Sequence, residues 1–141
     1  MGNRAVITTP HEYRNDGIGV YLHWNGGRDS IEGFLTYCKL KGYRSPETDC
    51  YGWARLCQVV GNFFGGSTSV GIDKVANLDC DNHDNGVYFI KNWEIVARKF
   101  NYRSEQHKYS LKDMLTDINS SMPKGEQLPD ETIEEYIKKE T

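Results

Sequence analysis

The sequence predicts an α+β fold: an antiparallel sheet with two central helices on one face and two short C-terminal helices. Two observations support this class. Strand-like and helix-like stretches come in blocks, in the order β-β-α-α-β-β-β-α-α, and grouped strands favour antiparallel pairing over the parallel sheets of alternating folds. At 141 residues the chain is also long enough to build one hydrophobic core without disulfides.

Five short stretches rich in β-branched and aromatic residues predict the strands. We expect them at residues 5–9, 19–24, 68–72, 87–90 and 93–97. Asn85 and Gly86 form the strongest short hairpin-turn signal in the chain, and Lys91 and Asn92 can turn a second hairpin.

The first central helix is predicted to begin at Asp29. Its carboxylate can cap the helix, and Glu32 three residues later completes a capping box. An apolar face follows with helical spacing, and Gly42 ends the helix. That face consists of Ile31, Phe34, Leu35 and Cys38.

The second central helix is predicted to begin at Ser45, Pro46 and Glu47. A capping serine, a proline at the first helical position and an acid in the first turn together mark a helix start. The buried stripe of this helix should consist of Trp53, Leu56, Val60 and Phe63 or Phe64.

Residues 1–103 are predicted to form a single α+β domain, and residues 104–141 a helical C-terminal extension. The extension has two amphipathic segments that either pack on the body or contact a partner subunit. Their apolar positions are Leu111, Met114, Leu115 and Ile118, then Ile133, Tyr136 and Ile137.

Charge is unevenly distributed between these two parts. Residues 1–103 contain 12 Lys/Arg and 11 Asp/Glu, whereas residues 104–141 contain 5 and 9. A nearly neutral body argues against extended nucleic-acid binding, which needs a basic face. No stretch is apolar enough to predict a membrane span, and no secretory signal is visible. The four cysteines lack a Cys-x-x-Cys pair, so we expect reduced thiols and a cytoplasmic location.

Residues 23–29 combine a strand end, two glycines and a helix start beside an arginine. Backbone N–H groups of Gly26 and Gly27 could converge on an anion, helped by the helix dipole. Arg28 could add a bidentate contact, and Trp24 or His23 a stacking face. The alternative is an ordinary tight turn, with Trp24 in the core and Arg28 in water.

Residues 49–53, Asp-Cys-Tyr-Gly-Trp, resemble the Asp-Cys-Ser-Gly-apolar motif of NlpC-type cell-wall cysteine peptidases. The resemblance implies Cys50 as a nucleophile activated at a helix start, with His83 or His107 as the base. Three features depart from the motif. Tyr51 replaces its serine, His83 lies in a polar loop, and the predicted helix start at Ser45 puts Cys50 beyond the first turn. The alternative is a buried, inert thiol.

One polar loop contains Cys80, Asp81, His83 and Asp84, which are possible metal ligands. Only Cys50 and Cys57 could complete a zinc site, and the EF-hand spacing fails. A solvated turn is the better interpretation, and we expect no metal and no cofactor.

Four segments taken together resemble a family of small, uncharacterised proteins of phages, prophages and mobile elements of Gram-positive bacteria. They are residues 2–7, 20–30, 50–56 and 61–66. The resemblance covers about residues 2–100 and assigns no catalytic residue. It implies a setting in which small accessory proteins counter host defence, either by binding an immune effector or by sequestering a nucleotide signal.

We therefore expect a non-enzymatic anti-defence protein that sequesters a small nucleotide-like immune signal, built as a homo-oligomer. Arg28 and Arg55 would bind phosphate, and Trp24, Tyr51 and Trp53 would stack on the ligand, all around one hollow. A protein-directed inhibitor of a host immune protein, of the anti-CRISPR type, and a cysteine hydrolase using Cys50 and His83 are the alternatives.

Overall fold

The computed structural model describes residues 2–10, 17–66, 68–100 and 110–140. The strands are β1 (Ala5–Thr8), β2 (Ile18–Leu22), β3 (Val70–Lys74), β4 (Val87–Lys91) and β5 (Glu94–Lys99). The helices are α1 (Arg28–Leu40), α2 (Cys50–Phe63), α3 (Leu111–Ser120) and α4 (Asp130–Glu140). The predicted α+β class is confirmed.

The five strands form one sheet in the order β3-β2-β1-β4-β5. The β3–β2, β2–β1 and β4–β5 pairs are antiparallel, as the sequence predicted, but β1 and β4 are parallel. The parallel pair arises because α1, α2 and β3 intervene before β4 inserts beside β1, and parallel strands need such a long crossover. The sheet is therefore mixed.

One face of the sheet forms a core with the helices. Alternate residues of the three central strands lie in this core, namely Ala5, Ile7, Val20, Leu22, Tyr88 and Ile90. On the other face, a Cβ added at Gly19 would lie 3.0 Å from Val75 and Leu78. The segment after β3 therefore covers part of the second face, and β1 is buried on both sides.

The N-terminus of α1 differs from the prediction. Asp29 does not cap it; the N-cap residue is Gly27, and no side chain provides a capping hydrogen bond. Because the helix begins at Arg28, Asp29 already lies in its first turn, where an acid complements the dipole. The predicted apolar face is confirmed, since Ile31, Phe34, Leu35 and Cys38 are buried.

The predicted start of α2 at Ser45 is wrong. Residues 45–48 form a separate turn, in which the Thr48 N–H donates to the Ser45 carbonyl at 3.0 Å. Asp49 caps the helix instead, accepting a hydrogen bond from the Tyr51 N–H at 2.7 Å. The Glu47 carboxylate serves a tertiary contact, because it accepts from the Asn92 N–H at 3.1 Å.

The hairpin lies at the second of the two predicted turns. Asn92 and Trp93 connect β4 to β5 with φ values of 53° and 62°. Asn85 and Gly86 do not form a hairpin turn, and instead lead into β4. Gly86 adopts a φ of 70°, and an added Cβ would lie only 1.9 Å from the Lys99 carbonyl oxygen. Position 86 therefore requires glycine, because the backbone of Lys99 leaves no room for a side chain.

The C-terminal helices pack on the rest of the protein. Ser110 caps α3 by accepting from the Asp113 N–H at 3.0 Å, and Met114, Leu115 and Ile118 join the core. Asn119 exchanges two hydrogen bonds with the Leu128 backbone, which fixes the lead into α4. The predicted boundary between residues 103 and 104 lies outside the described residues.

Candidate functional site

Arg28 and Arg55, predicted to share one hollow, line two different cavities. Arg28 lies on one side of α1, and Tyr37, which lines the cavity of Arg55, lies nine residues further along the helix. Nine residues are two and a half turns at about 3.6 residues per turn, so the two side chains project from opposite faces of α1. The expectation of a single site is wrong, and α1 separates two candidate sites.

The first, which we call the Arg28 cavity, has a volume of about 260 Å³. It runs along α1 from Arg28 to Lys39, with the β4–β5 turn, the start of α3 and the end of α4 opposite. Its walls are Arg28, Glu32, Leu35, Thr36, Lys39, Trp93, Glu94, Ile95, Leu111, Tyr136 and Glu140.

Two exposed ion pairs occupy the rim of the Arg28 cavity. Arg28 Nε lies 2.7 Å from Glu32 Oε1, and Lys39 Nζ lies 2.5 Å from Glu94 Oε2. Each of these four side chains is at least one third exposed. Exposed pairs of this kind contribute only about 0.2–1 kcal/mol, so a ligand can exchange with either partner at low cost.

Gly26, the first of the two glycines before α1, has a structural role rather than the predicted anion-binding role. The Gly26 N–H donates to the Asn3 carbonyl at 2.8 Å, and its own carbonyl accepts from the Tyr88 hydroxyl at 2.7 Å. An added Cβ would lie 2.6 Å from the same Asn3 oxygen. The Gly26 N–H is therefore engaged inside the protein, which corrects its predicted role. Gly27 remains at the helix start as the N-cap residue.

The second cavity, which we call the Arg55 cavity, has a volume of about 370 Å³. One face of α2 forms one wall, and Tyr37, Tyr43 and the α3–α4 connection form the other. The residues of α2 are Arg55, Gln58, Val59 and Asn62, and those of the connection are Met122 and Glu126.

The wall opposite α2 is held by hydrogen bonds. The Tyr37 hydroxyl donates to the Glu126 carbonyl, and the Tyr43 hydroxyl donates to Glu126 Oε2 at 3.5 Å. Lys41 Nζ lies 3.2 Å from the same carboxylate oxygen. Burial raises the pKa of Tyr37 well above its ordinary value, so its hydroxyl remains a donor at neutral pH.

Tyr51 and Arg55, both predicted ligand-binding residues, lie together beside this cavity. Arg44 and Arg55 place their guanidinium carbons 4.9 Å and 6.0 Å from the centroid of the Tyr51 ring. Arg55 also lies 5.9 Å from the centroid of Tyr43. Hydrogen bonding by the Tyr51 N–H lowers the pKa of Asp49, which pairs with Arg44 at 2.6 Å.

Trp53 is not available to stack on a ligand, which corrects its predicted role. Its side chain is 7% exposed and belongs to the core. The helical spacing that made Trp53 part of the buried stripe of α2 was the correct interpretation.

Trp24 and His23 form a separate surface feature. Trp24 is 45% exposed, so it does not lie in the core. It lines neither of the two described cavities, so it does not stack on a ligand in either of them. Its ring packs edge-on against His23 at 4.9 Å between centroids. His23 Nδ1 in turn hydrogen-bonds the Tyr21 hydroxyl at 3.2 Å. We call Tyr21, His23 and Trp24 the aromatic patch.

Cys50 and His83 are not brought together. Cys50 is exposed at the first position of α2, whose lead contacts Asn92 at the end of β4. His83 lies in the loop before β4, where the neighbouring Asp84 hydrogen-bonds Arg4 at 2.7 Å. The five-residue strand between them spans roughly 15 Å, far beyond the contact of a nucleophile and its base. His107 lies outside the described residues.

Sequence reasoning missed most of the wall opposite α2. Tyr37 was not singled out because a tyrosine on a helix gives no signal of its own. Glu126 lies in an unremarkable polar connection. The spacing of Arg55, Gln58 and Asn62, at three and seven residues, is the one signal that could have revealed a polar stripe on α2.

Three further observations concern the described residues. Within the described ranges, no group of three or more His, Cys, Asp and Glu side chains is placed to hold a metal ion. All four cysteines are free thiols. Among the helices that the structure describes, none combines the length and hydropathy needed to cross a bilayer.

The structure thus defines an α+β protein with cavities of about 260 Å³ and 370 Å³ on opposite faces of one helix. Comparison of the chain with family models, with curated proteins and with solved structures finds no match.

Proposed function

We propose that this protein is a non-enzymatic binding protein that captures a small nucleotide-like ligand in the Arg28 cavity. One observation carries the proposal. Arg28 is the first residue of a helix without a side-chain cap, and it lines a cavity together with the rings of Trp93 and Tyr136.

The chemistry of this arrangement suits a phosphate attached to a ring. The N-terminus of a helix favours an anion, and a guanidinium binds phosphate in a bidentate manner. Lys39 supplies a second cation on the same helix face. The half-buried ring of Tyr136 supplies apolar surface for a base or ribose, and Trp93, which is 4% exposed, closes the floor of the cavity.

The carboxylates of the cavity shape its preference. Glu32, Glu94 and Glu140 outnumber the two cations, so a highly charged polyphosphate would be repelled. A ligand with one or two phosphates can take the place of Glu32 on Arg28, because the exposed pair is weak. We therefore favour a compact signal over a nucleoside triphosphate.

The resemblance to small proteins of phages and mobile elements supports a biological setting. In that setting the protein would act in the host cytoplasm as an anti-defence factor that sequesters a nucleotide immune signal. Sequestration is stoichiometric and needs no catalytic residue. A homo-oligomer remains our prediction, and light scattering of the purified protein measures it directly.

Calorimetric titration with a panel of cyclic and linear nucleotide second messengers tests the proposal. At least one should bind, and Arg28→Ala should weaken it about tenfold or more, since losing a charge-assisted contact costs about 1.5–3 kcal/mol. Lys74→Ala, which removes an exposed cation of β3 that lines neither cavity, is the control and should leave that affinity within about twofold. Failure of the whole panel to bind, or equal losses in the two variants, would refute the Arg28 cavity as the site.

The aromatic patch favours a second candidate, a protein-directed inhibitor of a host immune effector. A half-exposed tryptophan braced by a histidine and a tyrosine is typical of interface hot spots. Affinity capture from host lysate separates the candidates. An effector that is lost with Trp24→Ala but kept with Tyr51→Ala, another exposed aromatic residue, would favour the inhibitor.

A further inference from the structure

The Arg55 cavity has the features of a second binding site, independent of the Arg28 cavity. Its floor is apolar and buried, because Tyr37, Val59 and Met122 are 1%, 2% and 5% exposed. Its volume of about 370 Å³ falls at the small end of the range of roughly 300–1,000 Å³ for small-molecule sites.

The polar groups of this cavity lie on opposing walls. Arg55 projects from α2, and the Glu126 carboxylate lies on the α3–α4 connection across from it. A guanidinium on one wall and a carboxylate on the other fit a ligand with an anionic end and an end rich in N–H donors.

The Glu126 backbone is fixed by a buried side chain, and its carboxylate, on a side chain that is 54% exposed, has two neighbours in the cavity wall. Its backbone carbonyl accepts from the buried Tyr37 hydroxyl, and both Tyr43 and Lys41 contact Oε2. Oε2 makes both of these side-chain contacts, and Oε1 makes neither of them. The carboxylate therefore presents acceptor oxygens to the cavity from a fixed backbone position, which lowers the freedom it loses on binding.

The aromatic rings indicate that the donor-rich group is planar. Tyr43 offers a half-buried ring to the cavity, packed 6.4 Å from the buried ring of Tyr37, and Arg55 lies 5.9 Å from the Tyr43 centroid. Tyrosine and arginine planes are the surfaces on which single bases stack, while their Watson–Crick edges are hydrogen-bonded. Gln58 and Asn62 add amide groups on α2.

We propose that the Arg55 cavity binds a nucleotide and selects guanine over adenine through Glu126. The Watson–Crick edge of guanine offers two adjacent N–H donors, from N1 and the 2-amino group, which a carboxylate accepts as a pair. Adenine offers an acceptor at N1, which faces the carboxylate unfavourably. Arg55 binds the phosphate at the other end.

The test compares guanine and adenine forms of the same molecules, namely the 5′-monophosphates and the cyclic dinucleotides, by calorimetric titration of the full chain. The guanine form should bind at least tenfold more tightly. Inosine 5′-monophosphate, which lacks the 2-amino group, should lie between the two monophosphates.

Two variants connect this preference to the cavity. Glu126→Gln should weaken guanine binding about tenfold, because one of the paired acceptors is lost. It should leave adenine binding unchanged or stronger, because the amide removes the repulsion at adenine N1. Glu131→Gln, which alters an exposed carboxylate of α4 that lines neither cavity, is the matched control and should change neither. Arg55→Ala should weaken both guanine and adenine forms.

The outcomes separate this inference from the proposed function. Equal binding of guanine and adenine forms, or equal losses of both in Glu126→Gln, overturns the selection by Glu126 and leaves the Arg28 cavity untouched. Guanine binding that depends on Arg28 but not on Arg55 places the ligand in the other cavity and also overturns it. If the protein binds phenylalanine, a zwitterion with a ring, but neither the guanine nor the adenine nucleotide, then the proposed ligand class is wrong.

Discussion

The two cavities flank the same helix but differ in what holds their arginines. Arg28 makes an exposed ion pair with Glu32 one turn away. Arg55 instead donates to Gln58 Oε1 at 3.3 Å and lies 5.9 Å and 6.0 Å from the ring centroids of Tyr43 and Tyr51. The first guanidinium can exchange its partner, and the second is oriented by aromatic surface. Two arginines with similar sequence surroundings thus define one electrostatic site and one site shaped by packing.

The difference extends to the backbone behind each cavity. Around Arg28 the main contacts are between side chains on the helix surface and on a hairpin turn. Around Arg55 the loop before α2 lies directly on the helix, because an added Cβ at Gly52 would be 2.4 Å from the backbone of Ser45 and Pro46. The Arg55 side should therefore depend much more on tight backbone packing.

The largest effect is expected from Gly52→Ala. The new methyl group would push the loop that carries Tyr43 and Arg44 away from α2, and overpacking of this kind costs about 1–3 kcal/mol. Gly61→Ala is the control in the same helix, since nothing lies within 4 Å of its added Cβ. It should gain up to about 1 kcal/mol from helix propensity. Urea unfolding measures both, and equal signs would show that the loop does not rest on α2 as described.

A smaller effect is expected from removing one hydroxyl on each side. Tyr37→Phe leaves the Glu126 carbonyl without its buried donor and should cost about 1 kcal/mol. Tyr136→Phe, in the wall of the Arg28 cavity, removes a hydroxyl from a half-buried side chain and should cost less than about 0.5 kcal/mol. Equal costs in thermal unfolding would mean that the two cavities are equally well packed.

The smallest effect is expected at Glu47, whose carboxylate connects the loop before α2 to the β4–β5 turn. Burial raises the pKa of its carboxyl, but hydrogen bonds from Ser45 Oγ and the Asn92 N–H outweigh burial and leave the pKa below its ordinary value. A carboxyl whose pKa is lower in the folded protein than in the unfolded chain stabilises the fold at pH values above its unfolded-state pKa. This stabilisation is lost as the pH falls through the pKa of the folded state.

Glu47→Gln should therefore reduce stability at neutral pH by about 0.5 kcal/mol, and the difference from the wild type should vanish between about pH 5 and pH 3. Ser45→Ala should show part of the same effect, because it removes one of the donors. Unfolding measured across this pH range checks both. A difference that grows as the pH falls would contradict the direction of the pKa.

Periodicity predicted the elements well because one residue type repeated along a helix or strand specifies which face is buried. It identified the buried faces of α1 and α2 and the amphipathic face of α3. It misplaced both central helix starts, because Asp29, Ser45 and Asp49 are all competent caps, and only tertiary contacts decide between them. Glu47 illustrates this, since its carboxylate contacts a hairpin 45 residues further along the chain.

The site was predictable only in part, for a related reason. Local chemistry singled out Arg28, Tyr51 and Arg55, and all three line or border a cavity. Their grouping could not be predicted, because it depends on which face of α1 each approaches. The wall made by Tyr43 and Glu126 joins residues 83 positions apart, a separation that no local motif encodes.

The parallel pairing of β1 with β4 has a consequence for how the protein is made. At a synthesis rate of about 5–20 residues per second, β1 leaves the ribosome roughly 4–16 s before β4 does. Until then the edge of β1 that pairs with β4 is open to other chains, so we expect misassembly of the nascent protein at high expression. Lower growth temperature or chaperone supply should raise the folded yield.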